Sequence, residues 1–252
     1  MINTVTEIDD MVALKNVLIS VSDKTGLEDF VKGLIKINPQ IKIYSTGGTF
    51  TAIKGFLGDE AGKNLIQVSD YTKQPEMQGG LVKTLDFKIY LGILSETYND
   101  AHKRDIERTS ATVFDMIVVN LYPFEKTVAK ADSTAENARG NIDIGGPCML
   151  RASAKNYLRV ASVTDPADYP VLLKELASQK GALSFAQRFE LAKKTFSHTA
   201  KYDTAISTYL AGLAPSDAAK VYNLHSGVRQ WQKTLRICIK ISTKTLFHNS
   251  WI

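Results

Sequence analysis

The sequence predicts an α/β fold in which a mainly parallel sheet lies between layers of helices. From about residue 16 to residue 163, short β-branched runs alternate with amphipathic segments, a pattern typical of repeated strand-loop-helix units. The chain has 252 residues, of which 44% are hydrophobic and 23% charged, enough to bury a full core. We therefore expect one sheet of five to seven strands with helices on its faces.

The first two strand-loop-helix units have the clearest signals. Residues 17–21 predict a strand, and apolar residues then recur at helical spacing over residues 27–35. Residues 41–44 predict the second strand. It is followed by the turn Gly47-Gly48 and by a short helix that begins near Thr49.

Later segments extend the sheet and then change character. Further apolar runs, which we interpret as strands, lie at residues 65–68, 89–94, 116–121 and 159–163. After Pro166 the spacing becomes helical, and apolar residues from Phe185 to Phe196 fall on one face of a helix that runs towards Leu213. The fold is therefore expected to end in helices.

The positive charge of the chain is confined to its C-terminal end. The net charge is +5, and residues 221–252 contain five Lys or Arg and no Asp or Glu, which leaves 26 residues of each sign before them. A neutral body does not indicate binding to nucleic acid. We predict a domain over residues 1–213 and a basic tail over residues 214–252.

Other bulk features favour a cytoplasmic enzyme without a metal. No apolar run approaches the roughly 18 residues of a membrane helix, and the start of the chain is acidic, unlike a signal peptide. Cys148 and Cys238 are far apart and unpaired in spacing, so neither a disulfide framework nor a thiolate zinc site is indicated. No membrane partner is expected.

Two polar loops follow the first two predicted strands. In parallel sheets the carboxyl ends of the strands and the helix N-termini that follow them form the usual binding edge. Either loop could hold a phosphate, although the first could equally be a helix cap with a solvated lysine and the second only a tight turn. The residues concerned are Ser20, Ser22, Lys24, Thr25 and Gly26 in the first loop and Thr46, Gly47, Gly48 and Thr49 in the second.

Four further residues could carry chemistry, and each also has an ordinary structural interpretation. We expect Lys83 to precede a strand, and it could also be an ordinary surface lysine. Tyr122 could also be a partly buried core tyrosine. Asp143, between two isoleucines, could have a perturbed pKa or could cap a helix. Lys155 lies near a helix end, where a cation is commonplace. We interpret His198, among aromatic residues, as structural.

Eight segments, taken in order, resemble the N-terminal part of the bifunctional purine enzymes that combine AICAR transformylase with IMP cyclohydrolase. The similarity spans about residues 15–213. The segments are SVSDKTGL (20–27), STGGT (45–49), PEMQGG (75–80), VKTL (82–85), NLYPF (120–124), IDIGG (142–146), RASAKN (151–156) and TFSHTAKYD (195–203).

The resemblance implies a three-layer fold like that of methylglyoxal synthase and an IMP cyclohydrolase activity that needs no cofactor. In that reaction the carboxamide nitrogen of formyl-AICAR attacks the neighbouring formyl carbon, and loss of water gives IMP.

The implied catalytic residues are Lys83, Tyr122, Asp143 and Lys155. The implied substrate-binding residues are those of the two loops together with Thr84, Asn120, Leu121, Ile144, Gly145 and Gly146. A homodimer is also expected. The family's transformylase domain has no counterpart in this sequence, which leaves open both a monofunctional form with a separate transformylase partner and a truncated form of the bifunctional enzyme.

The sequence departs from the family pattern beside Lys83. The family usually has an arginine where this chain has Leu81, and His-Pro where it has Asp86-Phe87. Two alternatives to the cyclohydrolase therefore stay open. One is a purine-nucleotide sensing or regulatory domain that has lost the chemistry, and the other is a lyase like methylglyoxal synthase, against which the absence of that enzyme's Asp/His pattern argues.

We predict that Leu81→Arg will lower the Michaelis constant for formyl-AICAR while turnover stays constant. An arginine would add a charge-assisted contact to the ligand in the ground state, and Leu81 supplies none. Steady-state kinetics of the two proteins measure this. A large rise in turnover would instead assign the arginine a role in tuning Lys83, and inactivity of both proteins would favour the sensing domain.

Overall fold

The computed structural model describes residues 4–74 and 83–225. Its main sheet contains five strands, which are Asn16–Val21 (β2), Lys42–Ser45 (β3), Leu65–Gln67 (β4), Met116–Asn120 (β5) and Ala161–Val163 (β6). All neighbouring strands in this sheet are parallel, in the order β4-β3-β2-β5-β6. Val12–Ala13 (β1) pairs antiparallel with Ala182–Leu183 (β7) in a separate sheet. The predicted parallel α/β fold is confirmed.

Helices follow most strands. In chain order they are Leu27–Ile37 (α1), Gly47–Leu57 (α2), Ala61–Asn64 (α3), Val68–Thr72 (α4), Phe87–Leu94 (α5), Asp100–Thr109 (α6), Phe124–Val128 (α7), Ala135–Gly140 (α8), Gly145–Lys155 (α9), Tyr169–Ser178 (α10), Phe185–Ala211 (α11) and Pro215–Ala219 (α12). Short 3-10 turns lie at Gly58–Glu60 and Pro166–Asp168. No helix among these described residues is both long and apolar enough to cross a membrane.

The sheet has a hydrophobic cluster on each face, which makes three layers. Side chains alternate along β2, so Val17 and Ile19 pack into one cluster with α1, α2 and α10. Leu18 points to the other face and packs with α5, α7 and α9. Because both faces are covered, β2 and β5 consist of nearly uninterrupted apolar residues.

The run at residues 89–94, which we expected to be a strand following Lys83, is helical instead. The carboxylate of Asp86 accepts a hydrogen bond from the backbone N–H of Lys88 at 2.8 Å and caps the N-terminus of α5. Ile89 and Ile93, four residues apart, both face the second cluster. An apolar run of six residues cannot distinguish a buried helix from a buried strand, so the prediction of a strand was wrong.

The long C-terminal helix α11 agrees with the predicted helical spacing. Ser184 and Gln187 form a capping box at its start. It packs along α9 and β6. Its buried Arg188 donates hydrogen bonds to the carbonyls of Asp9 and Asp10, among others, which holds the N-terminal segment in place. The chain divides into compact units at residues 1–213 and 214–252, and α12 belongs to the second. Most of the basic tail, from residue 226, lies outside the described residues.

Candidate active site

A cavity of about 570 Å³ opens at the carboxyl edge of β2, β3 and β5. Most of the predicted site residues line it, namely Ser20, Ser22, Lys24, Thr46, Gly47, Gly48, Thr49, Lys83, Thr84, Asn120, Tyr122, Asp143, Ile144, Gly145 and Gly146. Its wall also includes residues that sequence reasoning did not identify, which are Val21, Leu85, Val119, Gly140, Ile142 and Met149. The topology of a parallel sheet thus brings together segments more than 100 residues apart in the chain.

The first loop is fixed by the side chain of Asn120. Its carboxamide oxygen accepts hydrogen bonds from the backbone N–H groups of Ser22 at 2.7 Å and Asp23 at 2.8 Å, and its Nδ2 donates to the Asp23 carbonyl at 2.8 Å. Asp23 in turn accepts from the hydroxyl and N–H of Thr25, and these bonds lower the pKa of its carboxyl. The hydroxyl of Thr25 thus bonds to Asp23, and Thr25 is not among the residues that line the cavity.

Lys24 and Gly26 have different positions in this loop. The Lys24 side chain lines the cavity, with its ammonium 3.4 Å from the Ser22 carbonyl. Gly26 lies outside the cavity wall and caps α1 with φ +68°, a conformation that favours glycine. Lys24 therefore provides the positive charge of the loop, while Gly26 allows the chain to enter the helix.

The second loop lies beside the first. The Ser20 and Thr46 hydroxyl oxygens are 2.9 Å apart, and the Thr49 hydroxyl both donates to the Val21 carbonyl and accepts from its N–H at 3.0 Å. The Thr49 side chain is thus part of the cavity wall. The helix α2 begins at Gly47, so its N-terminal N–H groups and positive dipole end lie at the cavity.

Gly47 and Lys83 are close neighbours. Gly47 has φ +45°, and a Cβ added there would be 3.2 Å from the Lys83 ammonium nitrogen. A side chain at this position would be strained in its backbone and would also crowd the ammonium. The glycine therefore allows Lys83 to reach the cavity beside the N-terminus of α2.

Asp143 occupies a partly buried position in the cavity wall. Burial raises the pKa of its carboxyl, while hydrogen bonds from the backbone N–H groups of Gly146 and Tyr122 oppose that shift. The Gly146 N–H is 2.8 Å from the Asp143 Oδ1. A Cβ at Gly146 would be 2.6 Å from both Asp143 Oδ2 and Leu121 Cδ2, and a Cβ at Gly145 would be 2.5 Å from the Thr84 hydroxyl. The two glycines allow α9 to begin directly against the carboxylate.

The rim of the cavity combines an aromatic ring with an aliphatic side chain. The side chains of Tyr122 and Ile144 are 51% and 61% exposed although both line the cavity. Exposed apolar groups at the mouth of a polar cavity favour a flat, partly apolar ligand such as a heterocyclic base. Leu121, by contrast, is buried in the second hydrophobic cluster and does not line the cavity.

Lys155, which the resemblance assigned to the catalytic group, is not brought to the cavity in this chain. It is the last residue of α9, whereas the first residues of the same helix line the cavity. A rise of about 1.5 Å per residue separates the ends of this helix by roughly 15 Å. Its side chain is exposed and does not line the cavity, in contrast to the other three catalytic candidates.

Three other predictions concern residues around the site. His198 is half-buried, burial lowers the pKa of its imidazole, and it does not line the cavity. Asp86 caps α5, and Phe87 beside it is 63% exposed. Leu81 lies outside the described residues.

Within residues 4–74 and 83–225, no group of three or more His, Cys, Asp or Glu side chains is placed to hold a metal ion.

Comparison with known proteins relates this architecture to a family. An MGS-like domain model matches residues 26–148, and a model of the AICARFT/IMPCHase bienzyme matches residues 153–239. Residues 26–239 of the chain are thus similar, in turn, to an MGS-like domain and to a part of the AICARFT/IMPCHase bienzyme. The resemblance inferred from the eight motifs is thereby confirmed, and so is the MGS-like fold.

Individual relatives define which part of the family the chain represents. The bifunctional purine biosynthesis protein PurH of Neisseria meningitidis serogroup C is 48% identical over 204 residues, which cover 81% of this chain and 38% of that protein. PurH of Neisseria gonorrhoeae strain FA 1090 gives the same four values. The chain thus spans little more than a third of the length of these relatives. The crystal structure of ForH has 28% sequence identity and a TM-score of 0.68, and the match covers 78% of this chain and 97% of that one.

We predict that Lys24→Ala weakens binding of a nucleoside 5′-monophosphate by roughly ten- to a hundredfold. The loss of one charge-assisted contact costs about 1.5–3 kcal/mol. Calorimetric titration measures the affinity, and Lys32→Ala is the matched control, because Lys32 is an exposed α1 lysine paired with Glu28. If the Lys24 variant and the wild type bind with equal affinity, the phosphate does not bind to this loop.

Proposed function

We propose that this chain is an IMP cyclohydrolase, which closes the second purine ring of formyl-AICAR with loss of water. The observation that carries the proposal is the convergence of Lys83, Tyr122 and Asp143 on one cavity. The same cavity includes two loops and a helix N-terminus suited to a phosphate. The family match and the PurH relatives, whose name describes purine biosynthesis, support this role.

The two ends of the cavity suit the two ends of a ribotide. The Ser20–Gly26 and Thr46–Thr49 loops offer hydroxyls, backbone N–H groups and the Lys24 ammonium to a 5′-phosphate. Tyr122 and Ile144 at the rim would flank the imidazole ring, whose two substituents would then lie near Lys83 and Asp143. Holding the substituents in one reactive conformation is a large part of the catalysis, because the attacking nitrogen and the formyl carbon already belong to one molecule.

The reaction removes one proton from each of the two nitrogens and supplies two protons to the formyl oxygen. The carboxamide nitrogen attacks the formyl carbon and loses a proton, and the formyl oxygen becomes the hydroxyl of a tetrahedral adduct. That hydroxyl then takes up a second proton and leaves as water, while the formamido nitrogen loses its proton and the ring C=N bond forms. Lys83 and Tyr122 would manage the amide proton and the charge on the developing oxyanion.

Asp143 suits the dehydration step. Because burial raises the pKa of its carboxyl, the protonated form persists to higher pH than that of an ordinary aspartate. A protonated carboxyl can donate its proton to the leaving hydroxyl, and the carboxylate can then recover a proton released during ring closure. Our proposal therefore assigns the chemistry within one chain to Lys83, Tyr122 and Asp143, since Lys155 does not line the cavity.

We predict that Lys83→Ala and Asp143→Asn each lower kcat by about 10²- to 10³-fold, while the affinity for IMP changes by less than about threefold. Both groups are assigned to steps in which charge develops in the transition state. Absorbance at the purine band follows IMP formation, and calorimetry measures binding. The matched controls are Lys32→Ala and Asp29→Asn, both on the exposed side of α1. If either cavity variant keeps wild-type turnover, the residue that it replaces does not take part in catalysis.

The same assay separates this proposal from its alternatives. Turnover of formyl-AICAR by the wild type above the spontaneous rate supports the cyclohydrolase. Tight IMP binding without turnover would indicate the sensing domain. Formation of methylglyoxal from dihydroxyacetone phosphate would indicate a lyase, as the MGS-like match at residues 26–148 allows.

A further inference from the structure

Tyr202 of helix α11 contacts the turn that carries Asp143. Its hydroxyl accepts a hydrogen bond from the Asp143 backbone N–H at 2.9 Å and donates one to the Asn141 carbonyl at 3.1 Å. These two groups flank Ile142, so one phenol fixes both ends of the turn. Tyr202 lies in the TFSHTAKYD segment of the sequence, but no role was assigned to it from the sequence.

The phenol is well placed to act as a rigid support. Tyr202 is only 9% exposed, and its ring packs against Phe124 with the ring centroids 6.3 Å apart. Burial raises the pKa of the hydroxyl, so the proton needed for the bond to the Asn141 carbonyl is retained. A buried side chain with both of its hydrogen-bonding functions used has little freedom to move.

Asp143 is therefore held from two directions. The Tyr202 hydroxyl accepts a hydrogen bond from the Asp143 backbone N–H, and the Gly146 N–H at the start of α9 donates one to the Asp143 carboxylate. Because α11 packs along α9, both contacts depend on the same pair of helices. The direction in which the carboxylate faces the cavity is thus set by Gly146, which lines the cavity, and by Tyr202, which does not.

We propose that Tyr202 is a positioning residue, which α11 contributes to an otherwise MGS-like site in order to orient the Asp143 carboxylate for ring closure. The inference rests on the proposed function. It also fits the way in which the two family models divide the chain. Asp143 belongs to the segment matched by the MGS-like model, and Tyr202 to the segment matched by the bienzyme model. The bienzyme-type helix would thereby adapt a general phosphate-binding fold to one reaction.

The test uses the full chain with Tyr202→Phe, and Tyr209→Phe as the matched control. Tyr209 lies on the same helix and packs against the same Phe124 ring, with the centroids 5.8 Å apart, and it does not line the cavity. Both substitutions remove a single hydroxyl and keep the ring. Thermal melting of both variants shows that they fold.

The first measurement is amide hydrogen exchange, which does not depend on activity. In Tyr202→Phe the Asp143 N–H loses its acceptor, so its exchange should accelerate by about tenfold or more, whereas Tyr209→Phe should leave it unchanged. Unchanged exchange in Tyr202→Phe would overturn the proposal even if the wild type proves to be inactive. Inactivity of the wild type on formyl-AICAR would itself overturn the proposed function, and the two failures are therefore distinguishable.

The second measurement separates positioning from general stability. Tyr202→Phe should lower kcat by roughly ten- to a hundredfold with the Michaelis constant within about twofold, because small misplacements of a reacting group mainly affect the transition state. In an Asp143→Asn background the same substitution should have almost no further effect on kcat, since the two residues act as a unit. Additive losses in the double variant, or equal kcat values for Tyr202→Phe and Tyr209→Phe, would contradict the proposal.

Discussion

The parallel pairing of β2 with β5 determines where the candidate active site forms. In this register Val21 lies opposite Asn120, the last residue of β5. The residues that follow β2 are therefore close to the Asn120 side chain, which accepts hydrogen bonds from the backbone N–H groups of Ser22 and Asp23. If the strands were shifted by one residue, Asn120 would turn to the other face of the sheet and could not fix the first loop.

Helix N-termini and small residues complete the cavity around that pairing. Both α2 and α9 begin with two glycines, and both present their positive dipole ends to the cavity. The N-terminus of α2 faces the Lys83 ammonium, whereas that of α9 faces the Asp143 carboxylate. The same structural element thus presents its N–H groups to the cavity beside Lys83 at α2 and holds a partly buried carboxylate at α9.

The sequence predicted the parts of this arrangement that depend on local pattern or on spacing along one strand. Uninterrupted apolar residues predicted β2 and β5, and the polar loops that follow β2 and β3 were located from the rule that parallel strands bind ligands at their carboxyl ends. The helix over residues 87–94 was missed, because its apolar run is too short to show a period and its cap, Asp86, was not recognised as one. Lys155 was placed by resemblance alone, and the length of α9 separates it from the cavity. Tyr202 could not be assigned from the sequence, since its role depends on how α11 packs against α9.

The proposed function requires one cavity to hold the phosphate at the first two loops and the base at Lys83 and Asp143. A crystal structure of the protein with IMP bound is the decisive test. We expect phosphate oxygens within about 3 Å of backbone N–H or hydroxyl groups in the Ser20–Gly26 or Thr46–Thr49 loops, with the hypoxanthine ring between Tyr122 and the Asp143 carboxylate. A phosphate bound beside Asp143, or IMP bound outside this cavity, would contradict it.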